Sequence, residues 1–294
     1  MPVLYSYTAM IPSLPPSTGP IGVFDSGYGG LTILDKIRGL MPEYDYIYLG
    51  DSARCPYGPR SFEVVYEFTL QAVSKLFDLG CPLVILACNT ASAKALRTIQ
   101  QINLPVIDAT RRVLGVIRPT AECIGEITRS RHVGILATAG TIKSESYLLE
   151  IHKLSPDIVV TGEACPMWVS LVENNEYQSE GADYFVKQHI NRLLDKDPMI
   201  DTIILGCTHY PLLRSTLRQI MGEKVNLVNP AYETARELKS LLEREGLNND
   251  GKQNYEGAMH EFYVSDAANK FKNFANSILP YGVDTTQLIH IEDY

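Results

Sequence analysis

Seven short apolar runs punctuate the chain: IGVFDS at 21, YIYLGD at 46, LVILAC at 83, VGILAT at 133, DIVVTG at 157, TIILGC at 202 and KVNLVN at 224. Each has the length of a strand, and segments with a period near 3.6 lie between them. FEVVYEFTLQAVSKLFDLG (62 to 80) predicts a helix ending at Gly80, with Pro82 just beyond, and GADYFVKQHINRLLDKD (181 to 197) predicts another. Such alternation predicts an α/β protein with mainly parallel sheets flanked by helices. LVILA and TIILG are apolar almost without interruption, as expected of central strands covered on both faces.

The pattern also repeats. A long helix, a turn, an apolar strand, a cysteine and a new helix occur in that order over 61 to 102 and again over 181 to 220, and IGVFDSG at 21 resembles VGILATAG at 133. Two similar lobes follow, with a cleft between them. The expected division is a loose, Pro-rich leader over 1–20, a first lobe from 21–112 plus 228–294, and a second lobe over 113–227. EGLNNDGKQNYEG (245 to 257) reads as a flexible loop before a last short α/β segment.

Composition narrows the chemistry. A formal net charge of −8 argues against a nucleic-acid binder, which needs clustered Lys and Arg to displace counterions. The first twenty residues hold no Lys or Arg and no uninterrupted apolar core, so a secretory signal is not expected. No apolar run approaches the roughly 20 residues that span a bilayer. A soluble, cytoplasmic protein without a membrane partner is the expectation. The six cysteines form no C-x-x-C pair, and only Cys207 and His209 lie close enough to suggest a metal site, so neither disulfides nor a metal is expected.

In open α/β sheets ligands bind beyond the carboxyl ends of the strands. The residues found there are Asp25 and Ser26, Asp51, Cys88 to Thr90, Thr138, and Cys207 to His209. Cys88 and Cys207 hold equivalent places, each before a predicted helix whose N-terminal N–H groups favour a thiolate, so both are expected to ionise near neutral pH. Cys55, Cys81, Cys123 and Cys165 are read as packing residues. Two thiols on opposite walls of one cleft have a specific use. One takes a proton from a carbon while the other delivers a proton to the opposite face, which inverts the centre.

DSGYGGLTIL (25 to 34), GDSARCPYG (50 to 58), ILACNTASA (85 to 93), CPMWVSLVE (165 to 173) and ILGCTHYPLL (204 to 213) resemble the signature segments of bacterial glutamate racemase, in the aspartate/glutamate racemase superfamily. The resemblance implies a racemase that needs no cofactor and interconverts L- and D-glutamate to supply D-glutamate for peptidoglycan. It leaves the oligomeric state open, a homodimer being one possibility. It implies that Cys88 and Cys207 are the catalytic acid/bases, supported by Asp25, His209 and Glu173. It further implies a substrate site formed by Asp25, Ser26, Tyr57, Gly58, Asn89, Thr90, Thr208 and His209. Chemically, the hydroxyl, amide and backbone donors suit the two carboxylates of glutamate, and Asp25 suits its ammonium. Where many members carry Asp-Ser after the strand KVNLV, this chain has Asn229 and Pro230.

Three other readings compete. One is a racemase for aspartate or another small amino acid. A second uses GYGG at 27 to 30 as a phosphate loop, although that segment lacks the third glycine and the lysine of known phosphate loops. The third is a protein that captures glutamate between lobes without reacting with it.

Overall fold

The computed structural model describes residues 19–244 and 258–291. The expected leader lies outside them except for Gly19 and Pro20, and the polar loop of 245–257 lies outside them entirely. Among the described residues the strands are β1 (Ile21–Asp25), β2 (Tyr46–Gly50), β3 (Leu83–Leu86), β4 (Arg112–Gly115) and β5 (His132–Ala137). They continue with β6 (Val159–Ala164), β7 (Thr202–Gly206), β8 (Asn226–Val228), β9 (His260–Val264) and β10 (Gln287–Leu288).

Two sheets result, ordered β10-β9-β2-β1-β3-β4 and β6-β5-β7-β8. Every pairing is parallel. The run β2-β1-β3-β4 in one sheet has the same topology as β6-β5-β7-β8 in the other, so the repeat read from the sequence is an architectural one. Cys88 follows β3 and Cys207 follows β7, at matching places in the two lobes. The expected lobe boundary at 112–113 falls inside β4, which pairs with β3 and extends the first sheet.

Burial explains why β3 and β7 are central. Leu83, Val84, Ile85 and Leu86 are at most 3% exposed, and Ile203, Ile204 and Leu205 at most 1%. Each such side chain contributes about 1.5–3 kcal/mol by leaving water. One cluster of buried side chains runs from Val23, Tyr48 and Ile85 in the first sheet to Leu136, Ile203 and Leu205 in the second, so the lobes share a core.

Local signals fix the helix ends. Ser61 caps the helix Phe62–Asp78, accepting the Val64 N–H at 3.3 Å. At the other end Gly80 adopts φ +87°, its N–H reaches the Phe77 carbonyl, and the Cys81 N–H reaches Leu76, a Schellman ending that a residue with a Cβ would strain. Asn229 and Pro230 also have a structural use: Pro230 opens the helix Pro230–Arg244 and the Asn229 side chain accepts the Ala231 N–H at 3.0 Å. No helix among the described residues is long and apolar enough to cross a membrane.

Candidate active site

The carboxyl ends of both sheets meet around a cavity of about 140 Å³. That is room for roughly five waters, and well below the roughly 300 Å³ at which drug-sized ligands begin to fit. The first lobe lines it with Ser26, Tyr57, Gly58, Cys88, Asn89 and Thr90, and the second with Cys207, Thr208 and His209. Of the site residues named from the sequence, only Asp25 and Glu173 stand behind this wall.

Cys88 is the N-cap of the helix Asn89–Lys94, and its Sγ lies 3.5 Å from the Ala91 N–H and 3.4 Å from the Ser26 hydroxyl. The expected easy ionisation is not what results. Burial pushes the Cys88 thiol up to about 12, nearby Asp25 adds to the rise, and the bonds with the Ser26 hydroxyl and the Ala91 N–H offset only part of it. A six-residue helix provides a weak dipole, and desolvation of the charged sulfur wins.

The second thiol has different surroundings. His209 Nδ1 is 3.8 Å from Cys207 Sγ, and His209 Nε2 is 3.0 Å from Glu173 Oε1. Burial of His209 opposes its protonation, but the bonds to Cys207 and Glu173 hold it well above the ordinary imidazole value. Burial also works against charge on Glu173, yet the bond to His209 leaves its carboxyl below the usual range. The pair is therefore imidazolium and carboxylate, and it sets positive charge beside the Cys207 sulfur. Packing secures it: Glu173 ends the helix Trp168–Glu173, and the fully buried Trp168 ring lies 4.8 Å from Tyr210, which follows His209. Pro211 makes that turn, Tyr210–Leu213, a 3₁₀ helix.

Asp25 is fully buried, one step back from the cavity. Its carboxylate accepts the Gly27 N–H at 2.9 Å and the Thr208 hydroxyl at 3.3 Å, and burial raises its pKa against the pull of His209. From the sequence, a strand-end Asp on the wall and one behind it look alike. The GYGG segment is likewise a packing device. A Cβ on Gly29 would come within 2.3 Å of the Thr208 hydroxyl and 2.5 Å of His209 Nδ1, so glycine lets the first lobe touch the second at the site.

Donors face the cavity from both sides. The Asn89 amide oxygen accepts the Tyr147 hydroxyl at 2.7 Å, and Asn89 Nδ2, buried with the rest of the residue, has no partner among the described residues. Thr90 joins Thr138 at 2.9 Å and Thr141 at 3.3 Å, closing the cavity with hydroxyls from both lobes. Sequence reasoning passed over Tyr147, which carries no motif, and it gave Cys55 a packing role. Cys55 lines the cavity with its Sγ 3.8 Å from Glu173 Oε1, and burial followed by the Glu173 charge raises its pKa.

Residues 32–238 match the family model described as Asp/Glu/Hydantoin racemase. A glutamate racemase of Bacillus cereus is 38% identical over 92% of this chain and 97% of its own. One from Enterococcus faecalis is 40% identical over 92% of this chain and 96% of its own. Among solved structures, a glutamate racemase isoform of Bacillus anthracis superposes with a TM-score of 0.84 at 35% identity, covering 93% of this chain and 98% of that one. A Francisella tularensis glutamate racemase in complex with D-glutamate gives a TM-score of 0.84 at 33% identity, covering 95% and 100%.

Proposed function

The chain belongs to the Asp/Glu/hydantoin racemase family and is an amino-acid racemase, and from that premise we propose that it interconverts L- and D-glutamate by a two-cysteine proton transfer. The observation that carries this reading is the presence of Cys88 and Cys207 on one small cavity, each delivered by the matching strand end of a different lobe. The glutamate assignment rests on the relatives' names and on a donor-rich wall suited to two carboxylates.

In the proposed reaction one cysteine, as thiolate, takes the α-proton. The C–H electron pair moves toward the α-carboxylate, and the opposing cysteine, as thiol, protonates the other face of the carbon. The enantiomer leaves, and proton exchange with solvent resets the thiols. An α-proton is a very weak acid, so donors aimed at the carboxylate must lower the barrier as charge develops there. Asn89 Nδ2 and the Ser26 hydroxyl are the side chains available for this, while the Thr208 hydroxyl, which donates to Asp25, offers the cavity an acceptor. The His209 imidazolium serves Cys207 whenever that sulfur carries charge, and Glu173 keeps it protonated. Asp25 acts through Thr208, which it orients. The same reading places the enzyme in the cytoplasm, supplying D-glutamate for peptidoglycan.

A panel of L- and D-amino acids with the purified protein, no added cofactor and chiral detection tests the assignment. Conversion of both glutamate enantiomers is expected. Turnover of aspartate without turnover of glutamate would overturn the substrate, and binding of glutamate without α-proton exchange would overturn the reaction.

A further inference from the structure

The C-terminal segment has no function in the account so far, yet it is tied to the loop that carries Tyr57 and Gly58. Strand β9 pairs with β2 through Tyr46–Gly50, and the chain then turns at Ser265 and Asp266 beside residues 51–53. The Ser265 N–H bonds the Gly50 carbonyl at 3.0 Å. Its hydroxyl donates to Asp51 Oδ1 at 2.8 Å and accepts the Ala53 N–H at 2.9 Å. Ser52 and Asp266 exchange two more bonds, Ser52 Oγ to the Asp266 carbonyl at 2.5 Å and the Asp266 N–H to Ser52 Oγ at 3.0 Å.

Asp51 passes this order on. It is fully buried, and its second oxygen, Oδ2, accepts the Tyr57 hydroxyl at 2.5 Å and Arg54 Nε at 2.6 Å. Tyr57 lines the cavity, but its hydroxyl is spent on Asp51, so what Tyr57 offers a ligand is the placement of its ring and of the following Gly58 backbone. A single chain of contacts thus runs from Ser265, outside the site, to the wall.

We propose that Ser265 is a positioning residue for the substrate wall, acting through Asp51 to hold the Tyr57–Gly58 loop, so that the segment after β9 is part of the binding machinery. This rests on the racemase reading of the same cavity. The Tyr57–Gly58 segment supplies no acid/base group to the proposed reaction, so loosening it removes binding common to ground and transition states and raises KM with little change in kcat.

The test measures glutamate racemisation by the wild type, Ser265→Ala, Ser265→Thr, Tyr57→Phe and the Ser265→Ala/Tyr57→Phe double variant, with urea unfolding of each. Ser265→Ala is expected to raise KM roughly three- to tenfold, through the loss of one hydrogen bond to a buried carboxylate and one from the Ala53 N–H, while kcat stays within about twofold. Ser265→Thr keeps the hydroxyl and should restore KM. The double variant should be no worse than the poorer single one, since both cut one chain. An unchanged KM in folded Ser265→Ala, or costs that add in the double variant, would overturn the proposal. Should Ser265→Ala not fold, Tyr57→Phe cuts the chain at its other end, and an unchanged KM there overturns it equally. A wild type that leaves glutamate untouched would instead remove the racemase reading, and this proposal with it.

Discussion

Cys88 and Cys207 follow matching strands and are equally buried, at 6% exposure each, but their neighbours differ: Asp25 adds to the rise at Cys88, whereas His209 Nδ1 stands 3.8 Å from the Cys207 sulfur. Near symmetry of the fold has not produced symmetry of the electrostatics. Cys88 therefore rests as a thiol at neutral pH.

Alkylation checks that directly. With a thiol raised to about 12, the thiolate fraction of Cys88 grows about tenfold per pH unit below that value. The rate of iodoacetamide labelling at Cys88, followed by peptide mass spectrometry, should keep climbing through about pH 10. A plateau near the ordinary thiol value of about 8.5 would mean that burial does not dominate at this sulfur.

Tyr147 tests how the site presents its donors. Its hydroxyl fixes the Asn89 amide, leaving Nδ2 to meet a carboxylate. Tyr147→Phe removes one oxygen and no core volume, so the fold should hold while the amide is free to turn. A rise in the KM for glutamate of roughly three- to tenfold is expected, the scale of one hydrogen bond. An unchanged KM would show that Asn89 needs no such restraint.

Asp201 offers a test of stability away from the site. Burial works against its charge, but the N–H groups of Arg129 and Ser130 and the hydroxyls of Thr128 and Thr202 hold its carboxyl well below the usual range. A depressed folded-state pKa gives stability that is present above the unfolded value of about 3.9 and lost as pH falls through the folded value. Urea unfolding should find Asp201→Asn less stable than wild type at neutral pH, with the gap closing in acid. A gap that stays constant down to about pH 2 would contradict the assignment.

Much of this architecture was legible because its signals are local. The seven apolar runs correspond to β1, β2, β3, β5, β6, β7 and β8, and the helix closed by Gly80 and Pro82 ends there because a Schellman turn needs that glycine. The strands not named in advance lack such a signal. RVLG of β4 is half-buried and preceded by charge, HEFYV of β9 alternates, and β10 is two exposed residues. Strand-end reasoning led to Ser26, Cys88 to Thr90, Thr138 and Cys207 to His209, since within each parallel sheet all carboxyl ends lie on one side, whereas Tyr57 and Gly58 came from the family resemblance. It could not resolve depth, so Asp25 looked like a wall residue. Nor could it weigh burial against a short helix dipole at Cys88. Tyr147 was invisible for a different reason: its partner Asn89 is 58 positions away and no spacing rule links them.

The central claim is that two sulfurs serve one stereocentre. Purified wild type, Cys88→Ala and Cys207→Ala, each incubated with L-glutamate and separately with D-glutamate in deuterium oxide, should be followed for appearance of the opposite enantiomer and for deuterium at the α-carbon. The wild type is predicted to form the opposite enantiomer carrying deuterium from either starting material, and each variant, folded as the wild type is, to form none. Inversion at the wild-type rate by a protein lacking either sulfur would contradict the account.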